Sequence, residues 1–573
     1  MAAYGILGAR RVLALLLVLS AVAPLAAAAQ DAMPSPDGVI RSKTRQEFQA
    51  ELQAAFADTD EPAQNTDGVY VTGVTSDLQS VNPFLVESSP SLDVVTLIYE
   101  GLFGSDPRTG EPAPGGLSDY WEISPDRLTY TFHLNKDARW HDGVDVTAED
   151  VAFSLEALAD PATASAYTGA FNDAVAGWQV IDPDTIQITA KEPRFSFLYD
   201  IQGLFIVPKH IWENVPHDRW ATDPASTGQD PSRIVGTGPY KFNRWVQGQE
   251  ISLIRNEDYY DIKPNFKEYL IRIYPDAEAQ FNAFLNGDID TIGLEPEQVE
   301  TVENTPGLSW QFWPERGFTY YEFNLDPSVP LFQDKRVRQA FMWALDRESI
   351  VNDILRGFGE VANGTQPSIS PGYAPDRITT KYTYDPERAK ALLAEAGWTD
   401  TNGNGVVDKD GQEMSFELLY AAGSPTNDTL VAYLQDAWRQ VGIDAQPRAM
   451  DFPALIEATT SNAEWRMALY GFSWDATFIQ DVMFGCDQVP PVGFNDMKYC
   501  NPELDAINDQ IKREFDPEKR RELLIQAADI VNEDQPVGIL TFSVGIGAYN
   551  DRVHNYHGSA WGNQSFVGLW IEE

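Results

Sequence analysis

Between Asp385 and Gly471 the chain alternates two hydrophobic periods, and this alternation restricts its fold more than any other feature. Asp385-Pro386, a periodic run to Ala396 and then Gly397 supply an N-cap, a proline at the first helical position and a glycine past the end. Met414 to Tyr420 reads as a strand. Leu430, Leu434, Trp438 and Val441 mark the apolar face of a helix that Gly442 ends, Ile443 to Met450 is extended, Phe452 to Thr459 is helical, and Met467 to Gly471 is a short buried strand. Such a series buries its apolar faces by laying helices on a sheet of largely parallel strands, which makes the fold class α/β. Upstream, Val69 to Val74 is a first buried strand. Leu128-Thr129-Tyr130-Thr131-Phe132 alternates, as does Ile186-Gln187-Ile188 more briefly, and turn signals separate them. No internal repeat is evident.

The N-terminus reads as an export signal over residues 1–29. Arg10 and Arg11 precede an apolar run from Val12 to Leu25, and Ala26 to Ala29 supply the small residues of a cleavage point, so the mature chain is expected to begin near Gln30. The run is short for a spanning helix. No cysteine lies near the cleavage point, which argues against a lipid anchor, and the expected location is periplasmic or otherwise extracytoplasmic. Residues 30–68 are polar and acidic, with Pro34, Pro36 and Pro62 and a short helix around Gln46 to Phe56; they read as a surface extension outside the core. The only two cysteines, Cys486 and Cys500, are expected to pair, and closing that loop stabilises by about 3 kcal/mol in the chain-entropy account. A metal-binding pair would need a nearby histidine or third thiol, and none is present.

The net charge bounds the partners. With 41 Lys+Arg against 86 Asp+Glu the chain carries −45, which excludes a nucleic-acid binder of the usual basic kind. The six histidines, His133, His141, His210, His217, His554 and His557, form no zinc motif. There is no phosphate loop and no dinucleotide fingerprint. Gly471-Phe472-Ser473-Trp474-Asp475 begins like a nucleophile elbow, but Asp475 stands where the sharp turn needs its second glycine. Asp400, Asn402, Asn404, Gly405 and Asp408 follow the early spacing of a calcium loop, whereas Gly411 occupies the position of the bidentate glutamate; a polar hairpin explains the same residues without metal. No other cofactor is implied.

Several segments together carry a resemblance. Trp140-His141-Asp142-Gly143 followed by Thr147-Ala148-Glu149-Asp150-Val151 is similar to a signature of the family 5 extracellular solute-binding proteins, the peptide- and nickel-binding group of bacterial ABC importers. Asn82-Pro83, Gly236-Thr237-Gly238-Pro239-Tyr240, Gly287-Asp288-Ile289-Asp290, Val337-Arg338-Gln339-Ala340 through Asp346-Arg347, Tyr384-Asp385-Pro386 to Gly397-Trp398, and Asn501-Pro502-Glu503-Leu504-Asp505 follow in the family's order. Each motif also has a structural reading: Gly143 makes a turn and Thr147 caps the next helix. The resemblance implies a periplasmic-binding-protein-like fold of two α/β lobes joined by a hinge. Lobe I would comprise 69–275 plus 541–573, with 97–189 inserted, and lobe II would comprise 276–540. Ligand would bind between the lobes and be buried on closure.

The resemblance also assigns residues. Asp475 follows the Met467 to Gly471 strand at its carboxyl end, where open α/β sheets place ligand crevices, and in peptide-binding members an aspartate at the matching place holds the ligand's α-amino group. Ser473 and Trp474 flank it, Trp474 as an apolar wall or cation-π face. The competing reading makes Asp475 the cap of a helix beginning at Ala476, with Trp474 in the core. Backbone groups of Gly73, Val74 and Thr75 are the other ligand candidates. The arginine with which dipeptide binders hold the ligand carboxylate has no counterpart near Ala421 to Thr426. The implied function is that of a monomeric, non-enzymatic solute-binding component that delivers peptides to a membrane permease. Its alternatives are the same scaffold holding an oligosaccharide or other solute, a secreted hydrolase using Ser473, and a surface adhesion module.

Overall fold

A computed structural model describes residues 38–86, 88–461, 464–490, 492–563 and 568–572, so the expected signal at 1–29 lies outside the described residues. These fall into two compact units. One holds Glu295–Glu297 and Trp313–Gly545; the other holds the described residues up to Leu294, then Gln298–Phe312 and Ile546 onward. The chain thus changes unit later than the expected 275/276 and 540/541. The reason lies at Asp290, whose N–H donates to the Val71 carbonyl (2.7 Å) while its Oδ2 accepts from the Val71 N–H (2.7 Å), fastening this stretch to the first strand. Ile289 beside it is wholly buried.

In the Trp313–Gly545 unit the alternation appears as Pro386–Glu395, Ser415–Ala421, Pro425–Arg439, Asp444–Met450, Phe452–Ser461 and Met467–Ser473. Ser415–Ala421 pairs in parallel with both Asp444–Met450 and Met467–Ser473, while Leu308–Phe323 joins antiparallel to Met467–Ser473 and Val537–Asn550 lies beyond it. Helix Pro425–Arg439 places Leu430, Leu434 and Trp438 in one core with the sheet residues Leu418 and Tyr321 and with Phe341 of helix Lys335–Trp343. Full burial of each such side chain contributes about 1.5–3 kcal/mol. Two arginines of the family motifs are buried as carbonyl cross-links. Arg338 donates to the carbonyls of Phe332 (2.8 Å), Asp534 and Gln535, and Arg347 donates to those of Tyr382 (2.7 Å) and Ala362.

The other unit contains a four-stranded sheet in the order Gly68–Val74, Phe266–Ile273, Glu250–Arg255, Tyr240–Val246, and a five-stranded sheet in the order Ile40–Arg41, Ser118–Ile123, Thr129–Leu134, Thr185–Ala190, Val175–Asp182. The five-stranded sheet has its own core around Phe132, Ile186 and Leu155. Two signature motifs meet here. The His141 imidazole accepts from the Gly236 N–H (3.2 Å) and its other nitrogen lies 3.0 Å from the Gly238 carbonyl; burial pushes its pKa down to about 4, so the ring is neutral. A side chain at Gly236 would strike the Ile98 carbonyl, at 1.9 Å, so only glycine fits. Gly143 takes φ +88° in its turn, and Thr147 with Asp150 forms a capping box, as the motif reading expects.

Residues 38–68 correct the expectation of an extension outside the core. Helix Arg45–Phe56, capped by Thr44, buries Phe48 and Arg45. The Arg45 guanidinium pairs with Asp261 and donates to the carbonyls of Gly116 and Ser118, and Gln49 reaches the same aspartate. Composition missed this because a polar segment was judged by its average, whereas two side chains anchor it.

Candidate ligand-binding site

Met467–Ser473 delivers the chain to a tight turn at Asp475. Asp475 Oδ1 accepts from the Thr477 N–H (2.8 Å) and hydroxyl (2.6 Å), an Asx-type turn, and no helix begins at Ala476. The residue is exposed, and its Oδ2 accepts no hydrogen bond among the described residues. Trp474 corrects the expectation of a ligand-facing wall: it is 1% exposed, donates its indole N–H to the Thr365 carbonyl (2.8 Å), and packs against Phe318, Phe472 and Phe484. It acts from behind, fixing the turn that presents Asp475. Ser473 is exposed beside it. All six histidines belong to the other unit, so Ser473 has no imidazole base in its own.

The neighbouring strand adds three residues that the sequence reading missed. Gly317 pairs with Ser473, and the preceding run places Arg316 so that it donates to the Trp474 carbonyl (2.9 Å). Trp313 donates its indole N–H to Glu315 Oε1 (2.6 Å). Both lie over Gly545, where a Cβ would come within 2.6 Å of them. Burial raises the Glu315 carboxyl, with the Trp313 hydrogen bond opposing it. Burial lowers the Arg316 guanidinium, and the fields of Glu315 and Asp475 oppose that. The Arg316 guanidinium thus lies in the field of two carboxylates, Glu315 and Asp475, at this end of the sheet. The sequence signal was the Pro-Glu-Arg-Gly run inside a strand, since proline and glycine there mark a place where regular pairing yields to something else.

Gly73 and Val74, at the end of Gly68–Val74 in the other unit, are half-buried, and Thr75 just past the strand is exposed. The Val74 carbonyl accepts from the Tyr274 N–H (2.8 Å) on the sheet side, and the Gly73 carbonyl accepts from the Gln280 side chain (2.7 Å) on the opposite edge. Gly73 and Thr75 share the parity of Val71, whose backbone groups face that edge. It is the geometry by which a strand edge can pair an extended peptide.

The remaining candidates are structural or closed. Cys486 and Cys500 are bridged, with Cα atoms 4.5 Å apart. In the 400–408 loop, Asp400 accepts from the N–H groups of Gly403, Asn404 and Gly405, Asp408 accepts from Thr401, and Asn402 and Asn404 donate to Glu413. The oxygens a calcium would need are engaged by the loop itself. Among the described residues no three His, Cys, Asp or Glu side chains converge as metal ligands, and no helix is long and apolar enough to cross a membrane.

The sequence profile of bacterial extracellular solute-binding proteins, family 5 Middle, matches residues 111–487. The chain belongs to that family. Oligopeptide-binding protein AppA of Bacillus subtilis (strain 168) is 28% identical over 488 residues, which cover 83% of this chain and 86% of that protein. The structure of AppA from Bacillus subtilis in complex with a nonapeptide aligns with a TM-score of 0.77 at 26% identity, covering 90% of this chain and 100% of that one. NikZ from Campylobacter jejuni in complex with Ni(L-His) aligns with a TM-score of 0.74 at 25% identity, covering 88% and 99%. The fold is therefore the two-lobed α/β fold of family 5 solute-binding proteins, and the chain is a solute-binding protein by membership.

Proposed function

We propose that this protein is the extracytoplasmic, monomeric component of an ABC importer that captures peptides with a free amino terminus and passes them intact to a membrane permease. The observation that supports this most is Asp475: an exposed carboxylate at the carboxyl end of a sheet, with one oxygen locked by its own turn and the other open. A peptide ammonium supplies both the charge and the donors such an oxygen accepts once water is excluded. The Gly73–Thr75 edge would hold peptide backbone, and the lack of an arginine near Ala421 to Thr426 favours oligopeptides over strict dipeptides. Closure follows from linkage, because a ligand that contacts both lobes only when they close stabilises that state. The 1–29 segment would direct export and be removed, leaving no lipid anchor.

Calorimetry with a peptide identified by mass spectrometry of whatever co-purifies is the test. Asp475→Asn is expected to weaken binding by about 2–5 kcal/mol, the range for truncating one partner of a buried charged pair, and acetylating the peptide's amino group should weaken it similarly. Unchanged affinity in both removes the ammonium anchor. Turnover of the peptide by the purified protein would instead support the hydrolase.

A further inference from the structure

The two faces of Leu308–Phe323 carry opposite chemistry. Tyr321 and Phe323 enter the apolar core, so Tyr320 and Glu322 face the other way by strand alternation. Glu322 is fully buried at 0% exposure, and neither of its carboxyl oxygens meets an N–H or hydroxyl donor among the described residues. What lies against it is a second carboxyl, that of Asp496. The other ionisable groups bearing on this pair are the Tyr320 and Tyr470 phenols. Lys498, nearby, bonds Asp326 at 2.6 Å, so its charge is engaged elsewhere. Burial raises both carboxyls above their ordinary range; the Asp496 charge raises Glu322 further, whereas hydrogen bonds from Thr459 and from Glu322 oppose the rise at Asp496.

Behind the pair there is room. Asp496 lines a cavity of about 110 Å³ together with Thr459, Thr460, Ser461, Val489, Pro490 and Lys498. That volume accommodates an ion and several waters. The loop carrying Asp496 is closed by the Cys486–Cys500 bridge, and Asn495, itself wholly buried, donates to the carbonyls of Gly485 (2.8 Å) and Tyr499 (2.7 Å). The Thr459 hydroxyl, 3.0 Å from the Tyr470 phenol, faces the same space. Glu322 is opposite Ala468, five residues along the strand from the Gly317–Ser473 pair that borders Asp475.

Two carboxyls in contact cannot both be ionised without a countercharge, and no described residue supplies a cation to Glu322. We propose that Glu322 and Asp496, with the Thr459 hydroxyl, form a binding site for one calcium ion reached through the cavity beneath residues 459–461. The donors are all hard oxygens, which suit an alkaline-earth ion, and their irregular mixture of carboxylate, hydroxyl and water suits calcium better than the strict octahedron magnesium demands. The proton is the competitor: with no ion present the pair shares one, and calcium must displace it. Two carboxylates with water completing the shell correspond to a Kd of about 10⁻⁴–10⁻³ M, as in extracellular calcium modules.

The test is calcium chloride titrated calorimetrically into the full-length, EDTA-treated protein, in two buffers of different ionisation enthalpy. It is run on the wild type, on Glu322→Gln, on Asp496→Asn, and on Asp400→Asn, which removes the loop as a rival location. The wild type and Asp400→Asn should bind one ion and release up to one proton on doing so. Glu322→Gln and Asp496→Asn, which preserve shape, should weaken binding about tenfold or more while melting cooperatively. Absence of binding at millimolar calcium overturns the proposal. So does binding that survives both carboxamide substitutions, or that Asp400→Asn abolishes.

Discussion

Asp290 and Glu322 are both wholly buried carboxylates, one in each unit, and they solve the same electrostatic problem in opposite ways. Asp290 is saturated with donors: the Val71 N–H reaches Oδ2 at 2.7 Å, and Arg552 reaches Oδ1 through Nε at 2.7 Å and a terminal nitrogen at 2.6 Å. Among the described residues Glu322 has none, and its neighbour is another acid. Burial pushes both pKa values up, but for Asp290 the strand N–H and the guanidinium oppose it, whereas for Glu322 the neighbour adds to it. A buried carboxylate is thus a fastener where donors are built around it. Where they are not, its charge must be cancelled by something from outside the chain, a proton or a metal ion.

The fastener is the place where the contrast breaks most visibly. Asp290→Ala strips the partner from the Val71 N–H and from Arg552, and breaking a buried pair costs about 3–5 kcal/mol, with the lower end expected here because Arg552 is partly exposed and can rehydrate. Denaturant unfolding followed by tryptophan fluorescence should show the loss as a lower midpoint. A change below 1 kcal/mol would mean that packing and the backbone bond from Asp290 to Val71 hold the 276–294 stretch to the first strand without the carboxylate.

The disulfide sharpens the other side. It closes the loop that sets Asp496 against Glu322, so replacing both Cys486 and Cys500 by serine should cost about 3 kcal/mol by the chain-entropy estimate. It should also loosen the calcium response, because the carboxyl pair loses its fixed spacing. Peptide affinity should stay unchanged, since Asp475 is held by Thr477 and by Trp474 behind it, neither of which belongs to the loop. Melting with and without calcium, and peptide titration of the same variant, separate the two effects.

How far the sequence reached follows the same division between pattern and placement. The helices and strands from Pro386 to Ser473 were legible because each carries its own period and its own stop signal, as in Asp385, Pro386 and Gly397 around one helix. The motif residues were legible as scaffold, and His141 bonded to Gly236 and Gly238 shows why: their chemistry is consumed internally. The place of Asp475 in the fold was legible because the strand Met467–Ser473 carries its own period and ends just before it. Trp474 was misjudged because adjacency in sequence says nothing about which side of a turn a ring takes. The anchoring of Arg45 by Asp261, 216 residues away, and the meeting of Glu322 with Asp496 were not legible at all. Each depends on two distant residues reaching one point, and neither partner carries a local signal.

Taken per pH unit, the smallest expected effect is also the one that isolates Glu322. Its folded pKa lies above its unfolded value, so below the unfolded value both states hold the proton and the contribution to stability is complete. As pH rises through the range between the two values, the unfolded chain releases a proton that the folded chain keeps, and stability falls by up to about 1.4 kcal/mol per pH unit for this one group. In EDTA the wild type should therefore lose stability relative to Glu322→Gln as pH rises from 5 toward 8, because the amide has no proton to give up. Calcium should flatten the difference, since an ion replaces the proton and makes the ionised pair the stable form. Parallel stability profiles for the two proteins across that range in EDTA would show that Glu322 finds its neutralising partner elsewhere, and the contrast with Asp290 would collapse into two versions of the same fastener.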